Sequence, residues 1–307
     1  MPCKYINEKP IGAGCIAVVY EVILKNDQKV VVKIKRPNIY EELIQSMKKV
    51  DKLIYYSNFF CIFKSMELGK RLEDLKELIF NQLDFDIELE ETNYFYKKYK
   101  KHPFIMTPKP FNEYSNKSQI VLEFIEGKQI DNLNQEEREK LSLPFTGMLI
   151  SSMFMDGHYH GDLHTGNMMV VGDKLCIYDF GLVCNFNDEA DKETAYNYYM
   201  SLMNKEWDKA SNILLNRMCE KKIKKEKAFL KSIKKILVFY FETNEVWDPI
   251  SYIRAISKCI KKYGSVMSKS FVKWELSMIT VQGTITQICK KNIWELCREI
   301  NEIYSLE

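Results

Sequence analysis

The chain has 307 residues, of which 46% are hydrophobic, enough to fill a core without disulfide or metal staples. Lys and Arg number 45 against 42 Asp and Glu, so no charge excess indicates nucleic acid or an anionic membrane as the partner. The nine cysteines are odd in number and form no Cys-x-x-Cys pair, which indicates reduced thiols. With no signal, transit or spanning segment to be seen, we expect a cytoplasmic protein that crosses no membrane, with peripheral membrane or lipid contact left open.

The first motif is a glycine loop at residues 11–19, which read Ile-Gly-Ala-Gly-Cys-Ile-Ala-Val-Val. They fit the phosphate loop of kinases, Gly-x-Gly-x-x-Gly-x-Val, with Ala17 at the third glycine. Gly12 and Gly14 lack a Cβ, so their backbone can approach phosphates closely. A glycine-bearing hairpin turn is the plain alternative, and the loop alone does not decide between the two.

Two β-branched runs follow, at residues 18–24 and 30–36, and the turn residues between them predict a hairpin. The second run contains Val-Val-Val-Lys, which is typical of the strand that carries the phosphate-binding lysine of kinases. Lys33 and Lys35 project from one face because side chains alternate along a strand, so periodicity does not choose between them. Position within the motif favours Lys33.

Residues 40–101 are helical in pattern and predict two or three helices, with breaks near residues 59–64 and Gly69. Near the end of this region Asp86 and Glu90 are spaced i, i+4 and share one helix face. Such a pair can point to a common site, and it can equally be a solvated acidic face.

A strand predicted at residues 119–124 runs into an acidic linker that Gly127 closes, as a hinge between two lobes would. Backbone groups of Glu123 and Ile125 are then the candidates for binding the edge of adenine. Two helices are predicted beyond it, at residues 135–141 and 144–156, the second with a proline in its first turn.

The strongest pattern is His-Gly-Asp-Leu-His-Thr-Gly-Asn at residues 160–167, followed by Asp-Phe-Gly at 179–181. Phosphotransferases use this spacing to hold a nucleophile and Mg²⁺-ATP in one geometry. It predicts that Asp162 accepts the proton of the attacking hydroxyl and that Asn167 and Asp179 ligate Mg²⁺. No Ala-Pro-Glu follows, so the peptide groove of ordinary protein kinases is not expected.

Together these motifs resemble the UbiB/AarF/ADCK family of atypical kinases, from about residue 8 to beyond residue 208. The resemblance implies that Lys33 is the phosphate lysine, that Glu90 pairs with it, and that Asp84 and Asp86 are the family's acidic pair. It also implies an N-terminal Lys-x-Gly-Gln extension, which we expect this chain to lack. With glycines in place of the family's alanine-rich loop, we expect the chain to bind ATP readily.

We therefore predict an α+β, two-lobed, protein-kinase-like fold that binds Mg²⁺-ATP between its lobes. Residues 1–127 would form the N-lobe, a small antiparallel sheet with a helical insertion, and residues 128–307 a mainly helical C-lobe. The expected function is an ATP-dependent kinase or ATPase with an unidentified protein, small-molecule or lipid acceptor. Two alternatives stay open: a small-molecule kinase of the aminoglycoside or choline type, which shares the His-Gly-Asp-Leu-His pattern, and a nucleotide-gated binding module without transfer.

Overall fold

The computed structural model describes residues 1–57, 80, 82–243 and 247–305. The chain divides into two compact units, Met1–Gly127 with Cys176–Leu182, and Lys128–Leu175 with Val183–Glu307. The segment Cys176–Leu182, which the sequence division places in the second lobe, thus belongs to the first unit. In the described parts of the chain, no helix has both the length and the apolar character needed to cross a bilayer.

The first unit is built on an antiparallel sheet with strand order β1-β3-β4-β6, in which β2 also pairs with β3. The strands of this sheet are β1 (Cys3–Ile6), β2 (Gly12–Ala13), β3 (Ala17–Leu24), β4 (Lys29–Lys35) and β6 (Gln119–Glu123). The unit also contains the short strand β5 (Ile105–Met106), which is not part of this sheet. Its described helices are α1 (Ile39–Ser57) and α2 (Phe85–Tyr99). The predicted breaks near residues 59–64 and Gly69 lie outside the described residues.

Both faces of this sheet carry apolar side chains. Strand β6 contributes to both, because successive side chains of a strand point to opposite sides and its central residues are all apolar. Val121 joins a cluster on one face, while Ile120 packs with Phe85 on the other. In the β4–β6 register Lys33 stands opposite Ile120, so the Lys33 side chain lies on the face that Phe85 covers. The sheet register thereby directs Lys33 towards α2.

Helix α2 begins at a side-chain cap and presents one narrow face to the core. The carboxylate of Asp84 accepts a hydrogen bond from the amide of Asp86 at 3.0 Å, which satisfies one of the unpaired donors of the first turn. Its buried residues recur at intervals of three and four, as expected of a helix packed on one side: Phe85, Glu88, Thr92, Phe95 and Tyr99.

The second unit is mainly helical. Its strands are β7 (Lys128–Gln129), β8 (His158–His160), β9 (Met168–Val171), β10 (Lys174–Ile177), whose last two residues belong to the first unit, and β11 (Val183–Asn185). Its described helices are α3 (Gln135–Glu139), α4 (Ser142–Ile150), α5 (Glu189–Met203), α6 (Trp207–Ile213), α7 (Glu226–Val238), α8 (Pro249–Lys262), α9 (Lys269–Ile288) and α10 (Ile293–Ser305). The predicted helices at 135–141 and 144–156 correspond to α3 and to α4 with the π-helical turn Ser151–Met155 that continues it.

Gly157 ends this helical stretch for a conformational reason. Its φ is +69°, and a Cβ there would lie 2.9 Å from Cδ of Lys192. Only glycine adopts this backbone without strain, and the chain can then turn into β8 and the loop at residues 160–167.

We predict that Asp84 acts on stability through its cap. Asp84→Ala should destabilise the first unit by about 1 kcal/mol because the helix loses a hydrogen-bond acceptor, whereas Asp84→Asn should keep most of that free energy because asparagine caps equally well. Urea unfolding followed by circular dichroism measures both variants. Equal losses for alanine and asparagine would show that the charge of Asp84, and not its cap, is what matters.

Candidate active site

In the first unit, the ammonium of Lys33 lies between two carboxylates. Its Nζ donates to Oε1 of Glu88 at 2.6 Å and to Oδ2 of Asp179 at 3.1 Å. The side chains of Lys33 and Glu88 are 17% and 4% exposed, while that of Asp179 is 34% exposed. The predicted lysine and the predicted metal-binding aspartate are thus brought together, on the face of the sheet that Phe85 covers.

The ion pair predicted between Lys33 and Glu90 is wrong, because the partner is Glu88. Successive helical residues are about 100° apart, so Glu90 points about 200° away from Glu88. Glu88 belongs to the buried face of α2, and Glu90 is exposed. The signal for Glu88 was present in the sequence, since it continues the apolar spacing that begins at Phe85.

The two aspartates of the predicted acidic pair, Asp84 and Asp86, lie on either side of the first residue of α2. The carboxylate of Asp84 caps the helix, and the half-exposed side chain of Asp86 lies 3.9 Å from the ammonium of Lys117. Position in the helix therefore gives the two aspartates different surroundings.

Lys35 occupies a different environment from Lys33 although both side chains leave the same face of β4. Nζ of Lys35 lies 4.7 Å from the centre of the Phe85 ring, a cation–π contact. Nζ of Lys33 is 5.7 Å from that ring and reaches past it to the carboxylates. The contacts separate two lysines that the strand period left equivalent.

The Asp-Phe-Gly turn packs on α2 and is closed by a hydrogen bond of its own. The Phe180 ring stacks on Phe95 at 4.7 Å between centroids and 13° between planes. The amide of Gly181 donates to Oδ1 of Asp179 at 2.9 Å. A Cβ on Gly181 would lie 3.2 Å from that oxygen and 3.4 Å from Oε2 of Glu88, so glycine is what lets the turn approach both carboxylates.

The Lys33 cluster holds two carboxylates and one ammonium in a largely buried place. Burial raises the pKa of Glu88 to about 7, although the positive charge of Lys33 acts in the opposite direction. Burial by itself would lower the pKa of Lys33, but Glu88 and Asp179 together raise it above its ordinary value. Asp179 has the more exposed of the two carboxylates, and carboxylate oxygens suit a hard divalent cation such as Mg²⁺, so Asp179 is the group of this cluster that fits the predicted metal.

In the glycine loop, neither Gly12 nor Gly14 is required by the protein's own packing. Neither has a positive φ, and an added Cβ would come no closer than 3.6 Å to Val19 at Gly12 or 3.8 Å to the carbonyl of Ala17 at Gly14. The amide of Gly14 donates to that carbonyl at 2.9 Å, which closes the turn. Ala17 is 4% exposed and its methyl group packs in the apolar cluster with Phe85.

The predicted hinge keeps one backbone group of Glu123 occupied. The amide of Glu123 donates to the carbonyl of Lys109 at 2.9 Å, and Oε2 of Glu123 accepts from the amide of Lys109 at 3.2 Å. Ile125 is partly buried two residues further on. Of the two backbone groups of Glu123, the carbonyl is the one compatible with an adenine contact.

In the second unit, the loop at residues 160–167 holds Asp162 and Asn167 together. Nδ2 of Asn167 donates to the carbonyl of Asp162 at 3.0 Å, and the amide of Asp162 donates to Nδ1 of His160 at 3.0 Å. The Asp162 carboxylate is 44% exposed, with Nε2 of His164 3.8 Å from its Oδ2. Because the amide nitrogen of Asn167 is engaged, its Oδ1 is the atom suited to a metal.

The class of protein follows from a family match, and a solved structure shares the fold. The chain superposes on the structure of Rv3197 from Mycobacterium tuberculosis, solved as an erythromycin complex, with a TM-score of 0.63 at 19% identity, over 97% of this chain and 78% of that one. The predicted α+β, protein-kinase-like fold is confirmed. Residues 3–214 match the ABC1 atypical kinase-like domain, so the chain belongs to that family, and the resemblance to UbiB/AarF/ADCK kinases is confirmed.

Curated relatives are similar over part of their length. A protein of Clostridium pasteurianum, named as uncharacterized and located in the hydrogenase 1 5' region, is 30% identical over 58% of this chain and 35% of its own. AarF domain-containing protein kinase 1 of Xenopus tropicalis is 27% identical over 53% of this chain and 32% of its own. The chain thus spans about a third of the length of these two relatives.

We predict a pH dependence of stability that separates Glu88 from Glu90. The folded pKa of Glu88 is raised from 4.5 to about 7, so its contribution is fully present below pH 4.5 and is lost as the pH rises through 7. The stability of the wild type relative to Glu88→Gln should therefore fall as the pH rises through about 7.

Urea midpoints at pH 5, 6, 7 and 8 provide the measurement. Glu90→Gln is the matched control, because it removes an exposed carboxylate from the opposite face of the same helix, and it should follow the wild type. A wild-type advantage over Glu88→Gln that grows with pH would contradict the raised pKa and would show that pairing with Lys33 outweighs burial.

Proposed function

We propose that this chain binds Mg²⁺-ATP and acts as an atypical kinase or ATPase on an acceptor that is a protein, a small molecule or a lipid. The observation that carries the proposal is the Lys33 ammonium held 2.6 Å from Glu88 and 3.1 Å from Asp179 of the Asp-Phe-Gly turn. Active protein kinases require this combination of a lysine–glutamate ion pair and a metal-binding aspartate.

Each member of the Lys33 cluster has a distinct role in the proposal. Glu88 orients the ammonium of Lys33, which contacts the phosphates as a point charge. Asp179, whose carboxylate is one-third exposed, would hold Mg²⁺. The ion would supply positive charge that offsets the negative charge of the phosphates.

The glycine loop is an argument for a phosphate ligand, because packing within the protein does not explain why its two glycines are glycines. The space beside Gly12 and Gly14 would accept a Cβ, so the protein alone does not demand glycine at either position. Close approach of a phosphate to the backbone is the remaining physical reason for leaving the Cβ out. The carbonyl of Glu123 and the amide of Ile125 are the proposed contacts to the adenine ring of ATP.

Asp162 is the proposed general base and Asn167 a proposed metal ligand through Oδ1. The position of Asp162 is defined by bonds from its own amide and to its own carbonyl, while its carboxylate is half exposed. Nδ1 of His164 accepts from the amide of Gly166 at 3.1 Å, which places the ring proton on Nε2, facing the Asp162 carboxylate. A carboxylate so held can accept the proton of an attacking hydroxyl.

We predict that Mg²⁺-ATP raises the melting temperature of the wild type, corresponding to about 2.7 kcal/mol at a ligand concentration of 100 Kd. Asp179→Asn and Lys33→Met should lose most of this stabilisation, because each removes a charge that faces the phosphates or their metal. Lys35→Met is the control. Lys35 contacts the Phe85 ring, and among the described contacts it donates no hydrogen bond to Glu88 or Asp179.

Phosphate release and transfer, with hydroxyl compounds, lipids and denatured protein as acceptors, complete the measurement. Asp162→Asn should retain Mg²⁺-ATP binding and lose roughly 10² to 10⁴ in turnover. A wild type that binds nucleotide and never turns it over would support the nucleotide-gated binding module instead. A wild type with no melting shift in Mg²⁺-ATP would contradict both functions.

A further inference from the structure

Helix α9 contacts the loop at residues 160–167 with three polar side chains. Oγ of Ser277 donates to the carbonyl of His160 at 2.9 Å, and Oγ1 of Thr284 donates to the carbonyl of Leu163 at 2.6 Å. Oγ1 of Thr165 donates to Oε1 of Gln287 at 2.8 Å. Helix α9 lies beyond residue 214, where the family match ends, so these bonds join the catalytic motif to a part of the chain outside it.

The two hydroxyl groups bracket Asp162. The accepting carbonyls belong to the residue two before it and the residue directly after it. Ser277 and Thr284 are seven residues apart, two turns of helix, so both lie on one face about 10 Å apart along the axis. They are 1% and 2% exposed, and Leu163 is fully buried. Removing either hydroxyl therefore takes away a buried hydrogen bond to the backbone of the loop.

The connection reaches Asp162 through its own backbone. Ser277 holds the carbonyl of His160, and the ring of the same histidine accepts the amide of Asp162. On the other side, Thr284 holds the residue that follows Asp162. Each hydroxyl thus contacts a residue that is joined directly to the proposed base, His160 by a hydrogen bond and Leu163 by the peptide bond.

Helix α9 is itself held firmly enough to serve as a reference for the loop. Nε1 of Trp274 donates to Sδ of Met153 at 2.8 Å, and Oε1 of Gln282 accepts from the amide of Ile293 at 3.0 Å. These contacts connect α9 to the turn after α4 and to the start of α10. The loop is thereby fixed against a packed helix and not only within itself.

We propose that Ser277 and Thr284 are positioning residues, which hold the carboxylate of Asp162 in the place that phosphoryl transfer requires. The proposal rests on the function proposed above. A displacement of a reacting group by about 1 Å costs up to 100-fold in rate, so the bonds matter for turnover even though neither hydroxyl touches the substrate.

The test compares Thr284→Val and Ser277→Ala with two controls on the same helix. Thr286→Val removes a hydroxyl that is exposed and bonds within the helix to Gly283. Ser270→Ala removes a buried hydroxyl that has no partner among the described residues. Thr284→Val and Ser277→Ala should each lower the kcat for phosphate release or transfer from Mg²⁺-ATP by about 10- to 100-fold, with Mg²⁺-ATP affinity unchanged. Both controls should keep the wild-type kcat.

Two further variants separate positioning from damage to the fold. Thr284→Ser keeps the hydroxyl and should restore most of kcat. In the Asp162→Asn background, Thr284→Val should have little further effect on kcat, because the group it positions has been removed. A fully additive loss in that background, or wild-type kcat in Thr284→Val, would overturn the proposal.

Amide hydrogen exchange gives a readout that does not depend on turnover. The amides of Asp162 and Asn167, bonded to His160 and His164, should exchange faster in Thr284→Val and Ser277→Ala than in the wild type and both controls. Unchanged exchange in both variants would overturn the proposal. A wild type without turnover would instead contradict the proposed function, and exchange would still decide whether α9 holds the loop.

Discussion

The first unit depends on the burial of one positive charge. An ammonium that is four-fifths removed from water is tolerable only when carboxylates surround it, and Glu88 and Asp179 provide them. This requirement couples three separate stretches of chain: the strand that carries Lys33, the helix that begins after Asp84, and the Asp-Phe-Gly turn. The β4–β6 register, the buried face of α2 and the Phe95–Phe180 stack are the packing arrangements that meet it.

The second unit positions its polar groups by another physical means. Two neutral hydrogen bonds hold the backbone of Asp162: its carbonyl accepts from Asn167, and its amide donates to His160. The loop is bonded in turn to Ser277 and Thr284. Such bonds leave the carboxylate half exposed and chemically available. The buried ion pair and the backbone-anchored loop are thus two different solutions to holding a charged group in a defined place.

Local sequence patterns predicted much of the fold. The β-branched runs at 18–24 and 30–36 correspond to β3 and β4 within one residue, because strand alternation is written in neighbouring side chains. The partner of Lys33 was missed because Glu90 was chosen by its place in a motif, whereas the spacing from Phe85 to Tyr99 marks the face on which Glu88 lies. Burial, and not motif position, selects the carboxylate.

The contacts of α9 with the loop at residues 160–167 could not be predicted in this way. Ser277 and Thr284 are 117 and 121 residues away from the carbonyls they contact. A hydroxyl that donates to a backbone carbonyl leaves no complementary residue type in the sequence, since every residue has that carbonyl. Only the folded chain identifies such partners, so the helix that holds the loop lies outside the motifs that define the site.

A double-mutant cycle between Lys33→Met and Glu88→Gln, read as the free energy of unfolding of the chain without nucleotide, tests the central claim most directly. We expect an interaction energy of about 1 to 3 kcal/mol, because removing either partner leaves the other charge buried. The same cycle between Lys33→Met and Glu90→Gln should give a value near zero. Coupling of Lys33 to Glu90, with none to Glu88, would contradict the account.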